Sequence, residues 1–116
     1  MKKRILSLTL ALTMVLAMSI SVFAGSYSSD GYYEGSYYEI VDTCYSNRYS
    51  SSTFCSDYAV YSNVLVTDDD NQTYFAPGSS AFGASTTSGQ PGYQISHIKC
   101  THHVNGNVVR TITVYA

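Results

Sequence analysis

The chain has 116 residues and a formal charge of −2, and its composition changes abruptly after residue 24. The first 24 residues hold all three Met, five of the six Leu and half of the six Lys+Arg, whereas the remainder holds all twelve Tyr, all eight Gly, all three Cys and all eight acids. That remainder sets eight acids against three bases, Arg48, Lys99 and Arg110, for a charge of −5. It argues against the clustered basic surface that nucleic acid or anionic lipid requires, and the length argues against a multidomain enzyme.

Lys2, Lys3 and Arg4 precede an apolar run from Ile5 to Met18 without a charge, and Val22-Phe23-Ala24 puts modest side chains where a signal peptidase reads. The pattern predicts a bacterial-type secretory signal helix over residues 1–24, cleaved after Ala24. An uncleaved anchor is the alternative, because Ile5 to Ala24 at about 1.5 Å per residue just reaches across a bilayer. Either way residues 25–116 face outward, and the processed, secreted chain is expected to keep no membrane span.

Residues 25–36 are small and polar and predict a flexible Tyr/Ser/Gly-rich leader, with the folded domain over residues 37–116. In the leader, Tyr32-Tyr33-Glu34 returns five residues later as Tyr37-Tyr38-Glu39. After residue 24 Leu is nearly absent, and β-branched residues and Tyr dominate, side chains that suit a pleated sheet and disfavour helix. The expected fold is all-β, a small antiparallel β-sandwich or partly open barrel of six or seven strands. Strand candidates are Tyr37 to Cys44, Phe54 to Thr67, Gln72 to Ala76, Ser80 to Thr87, Tyr93 to Val104 and Val108 to Tyr115. Turn chemistry separates them at Asp68-Asp69-Asp70-Asn71, Pro77-Gly78 and Gly89-Gln90-Pro91-Gly92. Core candidates are the Val, Ile and Leu of the domain with Phe54, Phe75 and Phe82.

Two registers are specified further. A two-residue turn at Asn105-Gly106 would pair Val104 with Asn107 and Cys100 with Thr111, mixing polar and apolar side chains on both faces. A three-residue loop ending at Asn107 pairs Val104 with Val108, Cys100 with Ile112 and Ile98 with Val114, which gathers one apolar face, so the longer loop is expected. The other face then carries His97, Lys99, Thr101 and His103 against Tyr115, Thr113, Thr111 and Val109. At Asp68 to Asn71 a four-residue loop is expected to set Val64 opposite Phe75.

Three cysteines cannot all pair within one chain. A Cys44–Cys55 disulfide across a hairpin is the preferred expectation, leaving Cys100 a buried thiol; a Cys100 bridge to either partner, or between chains, is the alternative. Cys100, His102 and His103 are metal-ligand types, but His103 points away from the other two and no C-x-x-C or H-E-x-x-H spacing completes a site. Asp68, Asp69 and Asp70 offer Ca²⁺ ligands without EF-hand spacing, and a solvated acidic turn is the plainer reading. His97 and His103 invite a pH-sensing role that nothing else supports. There is no G-x-S-x-G elbow and no base beside a nucleophile. No catalysis, cofactor or metal is expected.

Tyrosine is the remaining signal, since its ring buries area at little entropic cost while the hydroxyl still reaches water or a sugar. The candidate binding residues are Tyr32, Tyr33, Tyr37, Tyr38, His97 and Tyr115, with an extracellular protein, glycan or cell-wall component as partner. The segment Val60-Tyr61-Ser62-Asn63 in a small exported β-domain resembles the lactococcin 972-type bacteriocins of Gram-positive bacteria. The resemblance covers four residues and an architecture; the Trp-containing segments of that group are absent and cysteines are present, so no functional residue is carried over. It implies the alternative of an antagonistic secreted protein, beside a third, structural role in a surface or matrix.

Overall fold

The β-branched and aromatic composition after residue 24 yields strands throughout. The computed structural model describes residues 20–22 and 25–116, and among them there is no helix. In chain order the strands are β1 (Ile20–Val22), β2 (Ser26–Tyr33), β3 (Ser36–Cys44), β4 (Tyr49–Asp68), β5 (Thr73–Ala76), β6 (Ala81–Gly89), β7 (Ile95–Val104) and β8 (Asn107–Tyr115). The all-β expectation holds: the seven strands β2 to β8 make an antiparallel sheet nearly closed into a barrel. The expected signal helix lies outside the described residues except for Ile20–Val22, which run parallel to β8 from Ile112 to Val114.

β4 organises the molecule. Its N-terminal half pairs with β3, from Tyr38↔Cys55 to Cys44↔Tyr49, and on its other edge with β6, from Cys55↔Gly83 to Tyr49↔Gly89. Its C-terminal half pairs with β7 and β5, from Val60↔Val104 and Val64↔Ala76 onward. Between the halves the inward positions change from Ser51, Thr53 and Cys55 to Val60, Ser62, Val64 and Val66. Strand side chains alternate with a period of two, so this change from odd to even requires an irregular step. The register shift between Cys55 and Ala59 supplies it and bends the strand. One strand thus serves two layers, β2-β3-β4-β6 and β5-β4-β7-β8. Their inner faces bring Ile40, Cys44 and Cys55 against Val60, Val64, Val66, Ile98, Cys100, Val104, Ile112 and Val114, all buried.

Residues 25–36 are not a leader. Residues 26–33 form β2, paired along its whole length with β3 from Ser26↔Thr43 to Tyr33↔Ser36. Glu34 (φ 47°) and Gly35 (φ 81°) make a two-residue turn with both φ positive, the type I′ geometry that matches strand twist. The apparent repeat is the two arms of this hairpin, with Tyr32 opposite Tyr37. The glycine in the middle of β2 is also accounted for: a Cβ on Gly31 would stand 2.6 Å from the Tyr38 hydroxyl oxygen, so Gly lets the Tyr38 ring lie across β2.

The last hairpin combines the turn that was set aside with the strand register that was expected. Asn105 (φ 52°) and Gly106 (φ 77°) form the two-residue turn, with Val104↔Asn107 and His103↔Val108, so the longer loop is corrected. Val109 then bulges, and from His102↔Arg110 the strands run in the expected register through Cys100↔Ile112 and Ile98↔Val114. The turn follows local chemistry, and one extra residue restores the apolar face. His103 and Val109 are buried at this bulge, so neither belongs to the solvent face expected of them.

At Asp68 the loop is one residue longer than expected, with Thr67↔Thr73 and Leu65↔Phe75. Asp68 causes this. Its Oδ1 accepts the backbone N–H of Asp70 and of Gln72, both at 2.9 Å, which wraps the chain one residue further before β5 begins. The slip turns Phe75 outward. Phe54 and Phe82 are exposed as well, so none of the three expected Phe joins the core.

The cysteines are all buried and free. The Cys44–Cys55 disulfide is corrected because only residues 45–48 between them form the turn, and the chain from Tyr49 onward is strand. Cys44 pairs with Tyr49 at the hairpin end while Cys55 pairs with Tyr38, six residues further along, roughly 20 Å at about 3.3 Å per residue.

Candidate functional site

The type I′ hairpin sets the first feature. Outward positions of β2, β3 and β4 alternate with the buried ones, and cross-strand pairing aligns Asp30 with Glu39, and Glu39 with Phe54. Beside this row stands Tyr32↔Tyr37, their rings edge to face at 5.6 Å between centroids. Like charges directly opposite across a sheet repel. Here the Tyr37 hydroxyl lies between them, donating to Glu39 Oε1 at 2.8 Å and Asp30 Oδ2 at 2.9 Å. Its one proton is shared by both carboxylates. Those hydrogen bonds, to Glu39 first and Asp30 second, push the phenol pKa well up, so the hydroxyl stays a donor.

Two open grooves flank the Tyr37–Glu39 ridge. One, of about 560 Å³, is lined by Ser28, Ser29, Asp30, Ile40 and Val41 together with the ridge; the other, of about 260 Å³, by Phe54, Cys55, Ser56 and Gly83. Tyr32 is 69% exposed, Tyr37 43% and Phe54 39%. Flat aromatic faces beside hydrogen-bond acceptors suit a ligand with both apolar faces and hydroxyl or amino donors.

The second feature lies inside. Asp42 is inward on β3 between Ile40 and Cys44, and His102 is inward on β7 between Cys100 and Val104. His102 Nε2 meets Asp42 Oδ2 at 2.7 Å, and its Nδ1 meets Thr53 Oγ1 at 2.7 Å. Ser51 Oγ donates to Asp42 Oδ1 at 2.6 Å. In the neutral ring this assigns the proton to Nε2, donated to the carboxylate, with Nδ1 accepting from the threonine. Thr53, His102 and Asp42 have the connectivity of a nucleophile, a base and an orienting acid, but all three are 0% exposed, and no substrate reaches Thr53 in this conformation. The network ties one layer to the other. Nearby, burial pushes the Cys44 thiol up to about 11, and burial followed by the Asp42 charge raises the Cys100 thiol well above its ordinary value, which keeps both thiols protonated and unreactive.

The expected binding residues separate. Tyr32 and Tyr37 meet on the outer face, while Tyr33 and Tyr38, each one strand position on, are buried in the core. His97 and Tyr115 pair with each other on the β7–β8 side, ring centroids 4.8 Å apart. His103 stacks on Tyr61 at 4.1 Å, and its burial lowers its pKa. The Asp68 carboxylate serves its own loop and the Tyr74 hydroxyl, 3.2 Å from Oδ2. Among the described residues no group of three or more His, Cys, Asp or Glu converges on a metal-sized site.

Sequence reasoning missed Asp30, Glu39 and Phe54 as neighbours of Tyr32 and Tyr37; the Glu34-Gly35 turn flanked by Tyr residues was the available signal. It also missed the Asp42–His102 pair, although strand parity already turned both inward. No protein-family model, curated protein or solved structure matches the chain.

Proposed function

We propose that the chain is a small secreted binding protein whose outer β2-β3-β4 face engages an extracellular glycan, such as a cell-wall polysaccharide. The observation that carries this is the Tyr37 hydroxyl bridging Asp30 and Glu39 amid the exposed Tyr32, Tyr37 and Phe54 rings. Sugar rings offer apolar C–H faces that pack on aromatic planes, and their hydroxyls donate to carboxylates. The negative charge favours neutral or amino sugars over anionic polymers.

The test is binding of the purified protein to bacterial cell-wall fragments and neutral polysaccharides by calorimetry and sedimentation. A Tyr32→Ser, Tyr37→Ser, Phe54→Ser variant is expected to lose about tenfold or more in affinity, while Tyr115→Ser on the other layer keeps it. Equal binding by the triple variant overturns the assignment. Growth inhibition of neighbouring bacteria, undiminished in that variant, would instead favour the antagonistic reading.

A further inference from the structure

β6 runs Gly83-Ala84-Ser85-Thr86-Thr87-Ser88-Gly89 over its regular part, and β4 is its partner on one edge only; among the described residues no strand pairs with the other edge. Exposed edges usually carry a charge or a Pro that blocks further pairing, since a bare row of N–H and C=O groups templates another strand. This one carries neither. From Asn71 to Ile98 the chain has no Asp, Glu, Lys or Arg, although the whole molecule is negative. Phe82, at the start of β6, is 73% exposed, and Phe75 on β5, the next strand along this side of β4, is 63% exposed.

We propose that this edge pairs antiparallel with β6 of a second copy of the chain, forming a two-fold dimer. The segment is nearly palindromic, so an axis through Thr86 places Gly83 opposite Gly89, Ala84 opposite Ser88, Ser85 opposite Thr87, and Thr86 opposite itself. Every cross-strand pair is small and uncharged, and the Thr–Thr pair is favourable. A two-fold interface requires such self-complementarity. A charged strand would set like charges near the axis in a molecule already carrying net negative charge. Ser85 and Thr87 face inward, donating to Ser79 O and Ser62 O at 2.7 Å, and the Thr86 hydroxyl meets Ser52 Oγ at 2.9 Å, whereas Ala84 and Ser88 are exposed and open to substitution.

The experiment measures mass by light scattering on the protein produced from the full-length chain, with circular dichroism to check folding. The wild type is expected at twice the monomer mass. Variants A84E/S88E and A84K/S88K, each folded, are expected to be monomers because like charges meet across the axis. Mixed in equal amounts they are expected to restore the dimer, since Glu then faces Lys at both cross-strand positions. A folding defect does not produce that rescue. A monomeric wild type, variants that remain dimeric, or a mixture that stays monomeric overturns the proposal.

Discussion

Asp42 illustrates how one residue is governed by its surroundings. Strand parity turns it inward between Ile40 and Cys44, and a lone carboxylate there would be costly to bury; the Ser51 hydroxyl and the His102 ring satisfy it. Breaking a buried pair leaves an uncompensated polar group. Asp42→Ala is therefore expected to destabilise by about 3 kcal/mol or more in urea unfolding, and Thr53→Val, which removes one hydrogen bond, by about 1 kcal/mol. Replacing both Asp42 and His102 with Leu is expected to recover much of the first loss. An Asp42→Ala protein as stable as wild type would show that the pair contributes nothing. The inward direction of Asp42 and His102 was legible from alternation, but their meeting was not, because 60 residues separate them and no local pattern encodes that distance.

At the scale of the element, turn chemistry was the most readable signal and strand irregularity the least. Asn105-Gly106 adopts the two-residue turn that its residues favour, yet the apolar register also survives, because Val109 is inserted as a bulge. The bulge at Val109 carries no composition signature; it arises where two local demands differ by one residue. Glu34-Gly35 shows the reverse case, a type I′ turn with an unusual residue at a position of positive φ. Asn tolerates that conformation better than Glu. Glu34→Asn is accordingly expected to stabilise the protein by about 0.5 kcal/mol, raising Tm by a few degrees. A lower Tm would mean that the Glu34 contact with the Tyr58 hydroxyl, 3.4 Å in length, outweighs the turn preference.

For the whole molecule, the closing of the two layers decides the fate of the cysteines. Cys44, Cys55 and Cys100 come from three strands and are all interior. Iodoacetamide at pH 8 is expected to leave the native protein unlabelled and to add three labels in denaturant without reductant. Burial and the raised pKa of Cys44 and Cys100 suppress the thiolate until the barrel opens. A single label in denaturant would reveal a disulfide.

The sequence by itself determined the all-β class, the approximate limits of β3 and of β5 to β8 and the expectation of export, because composition and two-residue periodicity act locally. Tertiary structure decided the rest. The bend of β4 into two layers, the use of residues 26–33 as a strand and the burial of Asp42 with His102 depend on contacts between distant segments. So does the separation of Tyr32 and Tyr37 outside from Tyr33 and Tyr38 inside: adjacent residues in a strand point to opposite faces, and only the pairing of β2, β3 and β4 says which face meets the core.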